Sequence, residues 1–282
     1  MIPRILHFCF GMSPDFGGKP WSLVHHVCLV SAVQRIKPSQ VLFHCAYQPD
    51  GPWWDLSRSL VTVCKVEAPT EIFGNPLLHN AHRADVVRLE QLLRTGGIYL
   101  DTDVFVHRDF DSLLTHSTVM GEEREGSETV GLGNSVILAE PQAPFLKRWY
   151  AEYSWFRSKG FDRYWDEHSV RVPFRLAAQS KDEITILPDA AFFSVPCTPD
   201  GLERLFKSPD PIITSNAFAN HLWESLAWDS FLRDLTPGQV RAKRSNFHGW
   251  AEPLLVGLPD DYGSRWVSER LSDSVGPQRQ AV

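Results

Sequence analysis

The stretch Gly96-Gly97-Ile98-Tyr99-Leu100-Asp101-Thr102-Asp103-Val104 follows a long helical pattern, which its two glycines end. The apolar residues after the glycines are typical of a buried strand. Asp101 and Asp103 come where that strand should end, and residues two apart in an extended chain point to the same side. Because two carboxylates on one face repel each other, the pattern indicates a site for a hard divalent cation.

The context of this pair supports a functional role. Open α/β sheets bind their ligands beyond the carboxyl ends of the strands. Asp85 and Arg88 lie three residues apart on the preceding helical pattern, so they share a face that could border the same crevice. Taken alone, an Asp-x-Asp pattern also occurs in surface turns, and Asp85 with Arg88 could be a surface ion pair.

The composition limits the class of protein. The chain has 282 residues with 43% hydrophobic content, which predicts one domain over residues 1–267 and a polar, frayed tail over 268–282. A net charge of -6 makes a nucleic-acid partner unexpected. The five cysteines do not have metal-ligand spacing and suit buried, reduced thiols. With no signal peptide and no membrane-spanning apolar run, we expect a cytoplasmic protein.

A basic and aromatic cluster suggests a second property. Arg241, Lys243 and Arg244 precede Phe247 and Trp250. A solvated turn is the favoured interpretation, and the alternative is peripheral contact with the inner face of an anionic membrane.

Hydrophobic periodicity predicts alternating strands and helices, and therefore a mostly parallel sheet. Between the main elements, residues Gly121–Gly133 lack periodicity and are predicted to be a mobile loop, with a lid as the less favoured alternative. The predicted strands are Ile2–Phe10, Val41–Tyr47, Leu60–Val66, Ile98–Leu100, Asn134–Ala139 and Ile184–Leu187, with a further strand suggested by Ile212 and Ile213. The predicted helices are Trp21–Ile36, Pro76–Thr95 and Pro144–Phe156.

The run Ala81–Asp103 resembles the glycosyltransferases that carry the DXD sugar-binding region. These include glycosyltransferase family 32, with its yeast mannosyltransferases and animal galactosyltransferases, and the related large clostridial toxins. Their signature is a helix with Ser-Asp-x-x-Arg followed by Gly-Gly-x-Tyr-x-Asp-x-Asp. Here Ala84 replaces the serine, and Asp101 follows Asp85 by sixteen positions, which fits the family helix.

Weaker matches flank this block, so that the resemblance covers about residues 2 to 230. Ile2–His7 is similar to the opening strand of the family, and Asn134 to its asparagine-containing segment. Leu187-Pro188 with Phe192-Phe193 fits a later strand and loop. His221–Ser225 resembles the terminal His-x-x-x-x-Ser-Trp, except that Leu226 and Ala227 separate Ser225 from Trp228.

The resemblance implies a GT-A fold, a nucleotide-binding α/β sandwich around a mostly parallel twisted sheet. It implies a metal-dependent, retaining transfer of a sugar from a nucleotide diphosphate sugar, either a UDP-sugar or GDP-mannose. The acceptor would be a glycan, a lipid-linked glycan or a protein, and the metal would be Mn²⁺ or Mg²⁺. The metal ligands carried over are Asp101, Asp103 and His221. The catalytic residues carried over are Asp101, Asp103, Asp85 and Arg88. The donor-binding residues carried over are His7, Asp85, Arg88, Tyr99, Asp101, Asn134, Trp223 and Ser225.

Two alternatives belong to other classes. In a haloacid dehalogenase-like phosphatase, Asp101 would be the nucleophile and Asp260-Asp261 the distal metal ligands. That motif needs Thr or Val two residues after the second aspartate, and this chain has Phe105 there. The second alternative is an inactive sugar-binding module, which the intact Asp101, Asp103 and His221 disfavour.

Overall fold

The computed structural model describes residues 1–126 and 128–274, in which strands and helices alternate over the first half of the chain. In these residues the strands are β1 (Ile5–Cys9), β2 (Gln40–Cys45), β3 (Thr62–Lys65), β4 (Glu71–Ile72), β5 (Asn75–Pro76), β6 (Gly97–Leu100), β7 (Val104–Val106), β8 (Thr118–Glu125), β9 (Glu128–Ala139), β10 (Thr185–Leu187) and β11 (Ala219–His221). The α-helices of the same residues are α1 (Leu23–Ile36), α2 (Pro52–Ser57), α3 (Asn80–Thr95), α4 (Pro144–Glu152), α5 (Val172–Gln179), α6 (Pro199–Phe206), α7 (Glu224–Ala227), α8 (Pro237–Ala242), α9 (Asn246–Ala251) and α10 (Trp266–Ser274).

The central sheet has seven strands in the order β10-β8-β9-β6-β1-β2-β3. β1 pairs in parallel with β2 and β6, and β2 pairs in parallel with β3. β9 is antiparallel to both of its neighbours, β6 and β8, and β10 is parallel to β8. The predicted α/β class with a mostly parallel sheet is therefore confirmed.

The sheet lies between two apolar layers, which explains why its central strands are almost continuously apolar. Along β6, Ile98 and Leu100 contribute to one buried cluster, whereas Tyr99 contributes to the other. α1 packs into the first cluster through residues such as Val27, and α3 packs into the second through residues such as Leu89. Both clusters thus hold β6 in place and position the residues that follow it.

A second, two-stranded sheet extends beyond the end of β6. β7 and β11 pair antiparallel, with Ala219 opposite Val106 and His221 opposite Val104. This pairing brings a late segment of the chain against the residues directly after the Asp101–Asp103 turn.

Several predicted boundaries differ from the structure, and one suggested strand is wrong. α3 begins at Asn80, because His79 caps it by accepting a hydrogen bond from the Ala81 amide at Nδ1, and Pro76 lies in β5. α4 ends at Glu152 and a 3₁₀ turn, Tyr153–Trp155, follows it. The strand suggested at Ile212 and Ile213 is wrong, since that segment is irregular and the strand is β11.

The mobile loop predicted over Gly121–Gly133 is also wrong. Residues 121–125 and 128–133 belong to the paired strands β8 and β9, and the register shifts twice along the pair, each time with the extra residues on β9. A Cβ at Gly131 would lie 2.3 Å from Val170 Cγ1, and a Cβ at Gly133 would lie 2.3 Å from Phe193 Cζ. These glycines therefore allow side chains to pack directly on the strand backbone, which is a packing requirement and not a source of mobility.

The last helix, α10, spans Trp266–Ser274 and so crosses the predicted boundary between the domain and the tail. Residues 275–282 of the predicted tail lie outside the described residues. The division into one domain over residues 1–267 and a frayed tail stays a prediction.

The basic and aromatic cluster is only partly a surface feature. Phe247 is fully buried, and Arg241 donates hydrogen bonds to the carbonyls of Leu255 and Leu258 and pairs with Asp260. Lys243, Arg244 and Trp250 line a shallow cavity nearby. Among the described residues, no helix has the length and apolar character needed to cross a membrane.

All five cysteines are free thiols. Cys9, Cys28 and Cys45 are buried, as predicted, and Cys64 is half-buried. Cys197 is exposed, so the prediction of a buried thiol was wrong there.

Candidate active site

A cleft of about 500 Å³ opens beyond the carboxyl end of β6. α3 contributes Asp85 and Arg88 to its lining, and β9 contributes Asn134. β6 and the turn after it supply Tyr99, Asp101 and Asp103. The end of β11 and the segment after it supply His221, Trp223 and Ser225. The cleft therefore lies where the sequence predicted a ligand crevice.

Asp101 and Asp103 lie on a tight turn between β6 and β7, and not on an extended strand end. The Asp101 amide donates to the Ser135 carbonyl at 2.8 Å, and the Val104 amide donates to the Asp101 carbonyl at 3.1 Å. Asp103 is buried, with 7% of its surface exposed. The turn still directs both carboxylates into the cleft.

His221 reaches the same turn from β11. Its Nε2 lies 3.2 Å from Asp103 Oδ2. One potential ligand atom from each of Asp101, Asp103 and His221 lies within 4.8 Å of the other two, and we call these residues the metal triad. The pairing of β7 with β11 brings them together, since it places His221 opposite Val104.

The backbone after His221 holds the triad from a second side. The Leu222 amide donates to the Asp103 carbonyl at 3.0 Å, and the Glu224 amide donates to Asp103 Oδ2 at 2.8 Å. Trp223 lies between them with φ +57°, a left-handed conformation that a bulky residue rarely adopts. Its Nε1 donates to the Val195 carbonyl at 2.8 Å, which anchors this strained position.

The two aspartates have opposite pKa shifts. Burial raises the pKa of Asp101 against the opposing effect of Arg88. Burial also acts to raise the pKa of Asp103, but attraction to His221 and its hydrogen bonds outweigh burial, and the pKa is lowered. The His221 pKa is raised, because Asp103 overcomes the effect of burial on the imidazole. Asp103 is therefore the more firmly ionised member of the pair.

Arg88 organises a second group of polar residues beside the triad. Its Nη2 lies 3.2 Å from Asp85 Oδ1 and 3.2 Å from Asp101 Oδ1, and its Nη1 donates to the Asn134 carbonyl at 2.8 Å. The Asn134 amide donates to Asp85 Oδ1 at 2.7 Å. We call Asp85, Arg88 and Asn134 the Arg88 cluster. Because Asp85 and Arg88 are buried, the interpretation of this pair as a surface ion pair is wrong.

Tyr99 lies at the base of the cleft. Its hydroxyl donates to Asp101 Oδ1 at 2.6 Å, and the Arg88 guanidinium lies 4.4 Å from its ring centroid. Since Tyr99 is only 1% exposed, it orients Asp101 and Arg88 more than it offers a surface to a ligand.

A second cavity of about 380 Å³ adjoins the cleft. Lys19, Thr102, Glu224 and Ser225 line both spaces and form their common rim. Three phenylalanines line the second cavity: Phe10, Phe16 and Phe161. Together the two cavities could hold an elongated ligand, because the cleft offers polar side chains near the triad and the second cavity offers aromatic side chains.

The structure does not place His7 in the cleft, contrary to the prediction. His7 is fully buried, and its Nε2 lies 3.0 Å from the Gly96 carbonyl while its Nδ1 lies 3.0 Å from His44 Nε2. Gly97 adopts φ +125°, and a Cβ there would lie 2.9 Å from His7 Nε2. His7 and the glycine pair therefore form one packing unit at the start of β6, away from any ligand. Trp228 is likewise buried, beside His25.

Sequence reasoning missed several residues of the cleft. Lys19 and Glu224 lie on the rim with Nζ 3.6 Å from Oε2, and Glu123, Trp165 and Asp166 line the wall. Glu123 was inside the segment predicted to be a mobile loop. Glu224 directly follows the His221–Trp223 motif. This position in the sequence was the one signal that could have identified Glu224 as a cleft residue.

The donor set of the triad fits a divalent cation. Two carboxylates and one imidazole suit Mn²⁺, and the carboxylates also suit Mg²⁺. His221 Nδ1 is buried and has no hydrogen-bond partner among the described residues, so the ring has only its Nε2 side engaged. When bound, such an ion would supply positive charge to an anionic ligand in the cleft.

Comparison with known proteins places this site in a family. The family model described as the glycosyltransferase sugar-binding region containing the DXD motif matches residues 58–120, which include α3, β6 and the Asp101–Asp103 turn. Glucan organizing enzyme 1 of Cryptococcus neoformans is 33% identical over 276 residues, a match that covers 94% of this chain and 74% of that protein. The chain therefore belongs to the glycosyltransferases with the DXD sugar-binding region.

Other matches are consistent with this membership. Inositol phosphoceramide mannosyltransferase 1 of Schizosaccharomyces pombe is 29% identical over 86 residues, which cover 30% of this chain and 26% of that protein. The structure of the WbbM bifunctional glycosyltransferase in its apo form superposes with a TM-score of 0.52 at 10% identity. That match covers 95% of this chain and about half, 52%, of the WbbM chain, and it supports the GT-A fold.

The family excludes the phosphatase alternative. Asp101 contacts Arg88 and Tyr99, which is unlike a free nucleophile, and Asp260 pairs with Arg241 and does not line the cleft. The protein is a glycosyltransferase of the GT-A type, so the alternative of an inactive module is not supported either.

Proposed function

We propose that the protein is a metal-dependent, retaining glycosyltransferase that uses a nucleotide diphosphate sugar as its donor. The observation that carries the proposal is the metal triad, whose three ligand atoms converge within 4.8 Å in a cleft of the right size for a ligand. In the transfer, the bond between the anomeric carbon and the diphosphate oxygen breaks. The oxygen of an acceptor hydroxyl takes its place on the anomeric carbon, and the proton of that hydroxyl passes to the released diphosphate.

The charge of the cleft supports metal dependence. Its described lining contains six carboxylates, Asp85, Asp101, Asp103, Glu123, Asp166 and Glu224, and two cationic side chains, Lys19 and Arg88. A diphosphate would be repelled by this excess of negative charge. A divalent cation at the triad offsets that repulsion where Asp101 and Asp103 are closest.

The two cavities suggest the orientation of the donor. We place the sugar at the Arg88 cluster, where Asp85 and Arg88 offer a charged acceptor and charged donors for its hydroxyl groups. The diphosphate would then cross the common rim beside Ser225, and the nucleoside would enter the cavity lined by Phe10 and Phe16. Trp223 would act through its backbone, which holds the Glu224 amide against Asp103.

The names of the relatives suggest which donors to test first. A mannosyltransferase and an enzyme named for glucan make GDP-mannose and UDP-glucose the leading donors, with UDP-galactose and UDP-N-acetylglucosamine as the comparison. The acceptor would be a glycan, a lipid-linked glycan or a protein. A cytoplasmic location with peripheral membrane contact also stays a proposal.

A donor-hydrolysis screen with the full chain tests this proposal. Each of the four nucleotide sugars is incubated with the protein and Mn²⁺, and the released nucleotide diphosphate is measured. We expect one donor to be consumed well above the others and chelation to stop its consumption. Full turnover in excess chelator, or no turnover of any donor, would overturn the proposal.

Retention needs its own measurement. An NMR spectrum of the first-formed product gives the configuration at the anomeric carbon, and we expect the configuration of the donor. The opposite anomer would leave metal-dependent transfer intact but refute retention.

A further inference from the structure

Glu123 occupies a part of the cleft that the donor assignments do not use. It lies on β8, opposite Gly131 of β9, and it lines the cleft together with Trp165, Asp166 and Ser169. Paired residues of neighbouring strands share one face of the sheet. Gly131 has no side chain, and Val170 packs directly on its backbone. No β9 side chain therefore covers the carboxylate of Glu123 at this register position.

Glu123 also differs from the other acids of the cleft in its partners. Each of the other five carboxylates is hydrogen-bonded or ion-paired: Asp85 and Asp101 with Arg88, Asp103 with His221, Asp166 with Arg171, and Glu224 with Lys19. Among residues 1–126 and 128–274, the carboxylate of Glu123 has no hydrogen bond or ion pair.

This situation favours a ligand that donates hydrogen bonds. Burial raises the pKa of Glu123, with Asp166 adding to the effect and His221 opposing it. A half-buried carboxylate without a partner is costly, and a hydroxyl donor would lower that cost. Sugar hydroxyl groups are such donors, and Trp165, an aromatic residue of the kind that packs against sugars, lines the same cleft.

We propose that Glu123 binds the acceptor by accepting a hydrogen bond from a hydroxyl group of an uncharged sugar. The assignment rests on the proposed function, in which the Arg88 cluster holds the donor sugar and the metal triad lies at the diphosphate. A phosphorylated sugar is excluded from this side, because it would meet the Glu123 carboxylate. The two described cations of the cleft, Lys19 and Arg88, are already paired with acids.

The test separates transfer from hydrolysis of the same donor. With the donor found in the hydrolysis screen, water and a methyl glycoside compete as acceptors. The probes are methyl α-D-mannopyranoside and methyl β-D-glucopyranoside, each also as its 6-phosphate. The ratio of transfer to hydrolysis is measured for the wild type, Glu123→Ala, Glu123→Gln and the control Glu122→Ala.

Glu122 is a matched control because it pairs with Leu132, on the other face of the same strand, and does not line the cleft. We expect Glu123→Ala to lower the ratio by at least about tenfold, the usual effect of losing a hydrogen bond to a charged group. Glu123→Gln should lower it less, since an amide oxygen still accepts a hydrogen bond. Glu122→Ala should leave it unchanged, and the wild type should use the uncharged glycosides in preference to their phosphates.

Each contrary outcome has a distinct meaning. An unchanged ratio in Glu123→Ala and Glu123→Gln, or an equal fall in Glu122→Ala, overturns the role of Glu123 while the proposed function stands. Hydrolysis with no transfer to the uncharged glycosides, or preferred transfer to their phosphates, overturns the proposed acceptor chemistry. A wild type that hydrolyses no nucleotide sugar overturns the proposed function itself.

Discussion

His7 and His221 both belong to segments that resemble the family, and both lie in strands, β1 and β11, but their partners differ. His7 contacts the Gly96 carbonyl and the ring of His44, whose plane lies within 8° of its own. His221 contacts a carboxylate of Asp103 in a cleft. His7 is fully buried and His221 is half-buried. The comparison teaches that the charge of a histidine's partners, together with its burial, decides whether its pKa is lowered or raised.

The hydrogen-bond geometry makes the His7–His44 pair neutral. The Gly96 carbonyl can only accept, so His7 Nε2 donates to it and His7 Nδ1 must accept from His44 Nε2. A further proton on His7 Nδ1 would face the His44 donor. Burial accordingly lowers the pKa of His7 from 6.5 to about 4 and that of His44 from 6.5 to about 3. The pKa of His221 moves in the opposite direction, because Asp103 stabilises its protonated form against burial.

The largest expected effect is on activity when the acidic partner of His221 loses its charge. Asp103→Asn should lower the rate of donor consumption at saturating Mn²⁺ by at least about 10²-fold, because both a metal ligand and its negative charge are lost. The control is Asp229→Asn, whose side chain is 84% exposed. The melting temperature should stay close to that of the wild type. Near-normal turnover in Asp103→Asn would remove Asp103 from the metal site.

The second expected effect is a loss of folding stability when the neutral His7–His44 pair is broken. His7→Ala should lower the free energy of unfolding by about 2–4 kcal/mol, because it leaves a cavity and an unpaired buried carbonyl at Gly96. Denaturant unfolding measures this change. Turnover per folded molecule and the Mn²⁺ requirement should be unchanged. A stable His7→Ala protein with weakened donor binding would restore His7 to the donor-binding residues.

The third expected effect is a loss of stability in acid that comes from the same pair. Because the native pKa values are lowered, the unfolded chain binds protons below about pH 6.5 that the native pair excludes until about pH 4. Stability should therefore fall as the pH decreases through this window, by about 2 kcal/mol for each histidine at about pH 5. Denaturant unfolding over a pH series measures the slope.

A variant isolates the contribution of the pair from that of other histidines. His26, His107 and His248 also have pKa values lowered to about 4, chiefly by burial, and they add to the slope in the wild type. His44→Leu removes one titrating group and should reduce the slope. An equal slope in both proteins would show that the pair titrates normally.

The smallest expected effect is on metal affinity. His221→Ala should raise the Mn²⁺ concentration for half-maximal activity by at least about tenfold, or about 1.4 kcal/mol, the order found when metal-site partners are removed. Activity should recover at high Mn²⁺, and the fold should survive. His7→Ala is the matched control, with an unchanged Mn²⁺ requirement. The same requirement in His221→Ala would assign His221 a structural role.

Much of the fold was predictable because its signals are local. The apolar periodicities of α1 and α3 and the short apolar runs of β1, β2, β3 and β6 depend on residues adjacent in the sequence. Their parallel arrangement followed from the β-α-β order. The boundaries failed where a distant contact or a cap decided them, as at His79.

The β8–β9 hairpin could not be predicted because the same residue type serves two purposes. Glycine is common in mobile loops, but Gly131 and Gly133 are needed where Val170 and Phe193 press on the strand backbone. That contact depends on segments far along the chain. Glu123 was overlooked because it lies in the same segment, which was predicted to be a mobile loop.

The sequence by itself determined where the acidic turn lies, since an apolar strand, two aspartates and the Asp85–Arg88 helix are consecutive. It also determined the family, through a motif contained in one helix, one strand and one turn. The resemblance named His221 as a ligand beside that turn, but only the tertiary structure shows how a residue so far along the chain reaches it. His221 lies opposite Val104 because β11 pairs with β7, while His7 is packed beneath Gly97. Local patterns report the preferences of neighbouring residues, whereas Asp103, the partner that raises the pKa of His221, meets it through strand pairing across the chain.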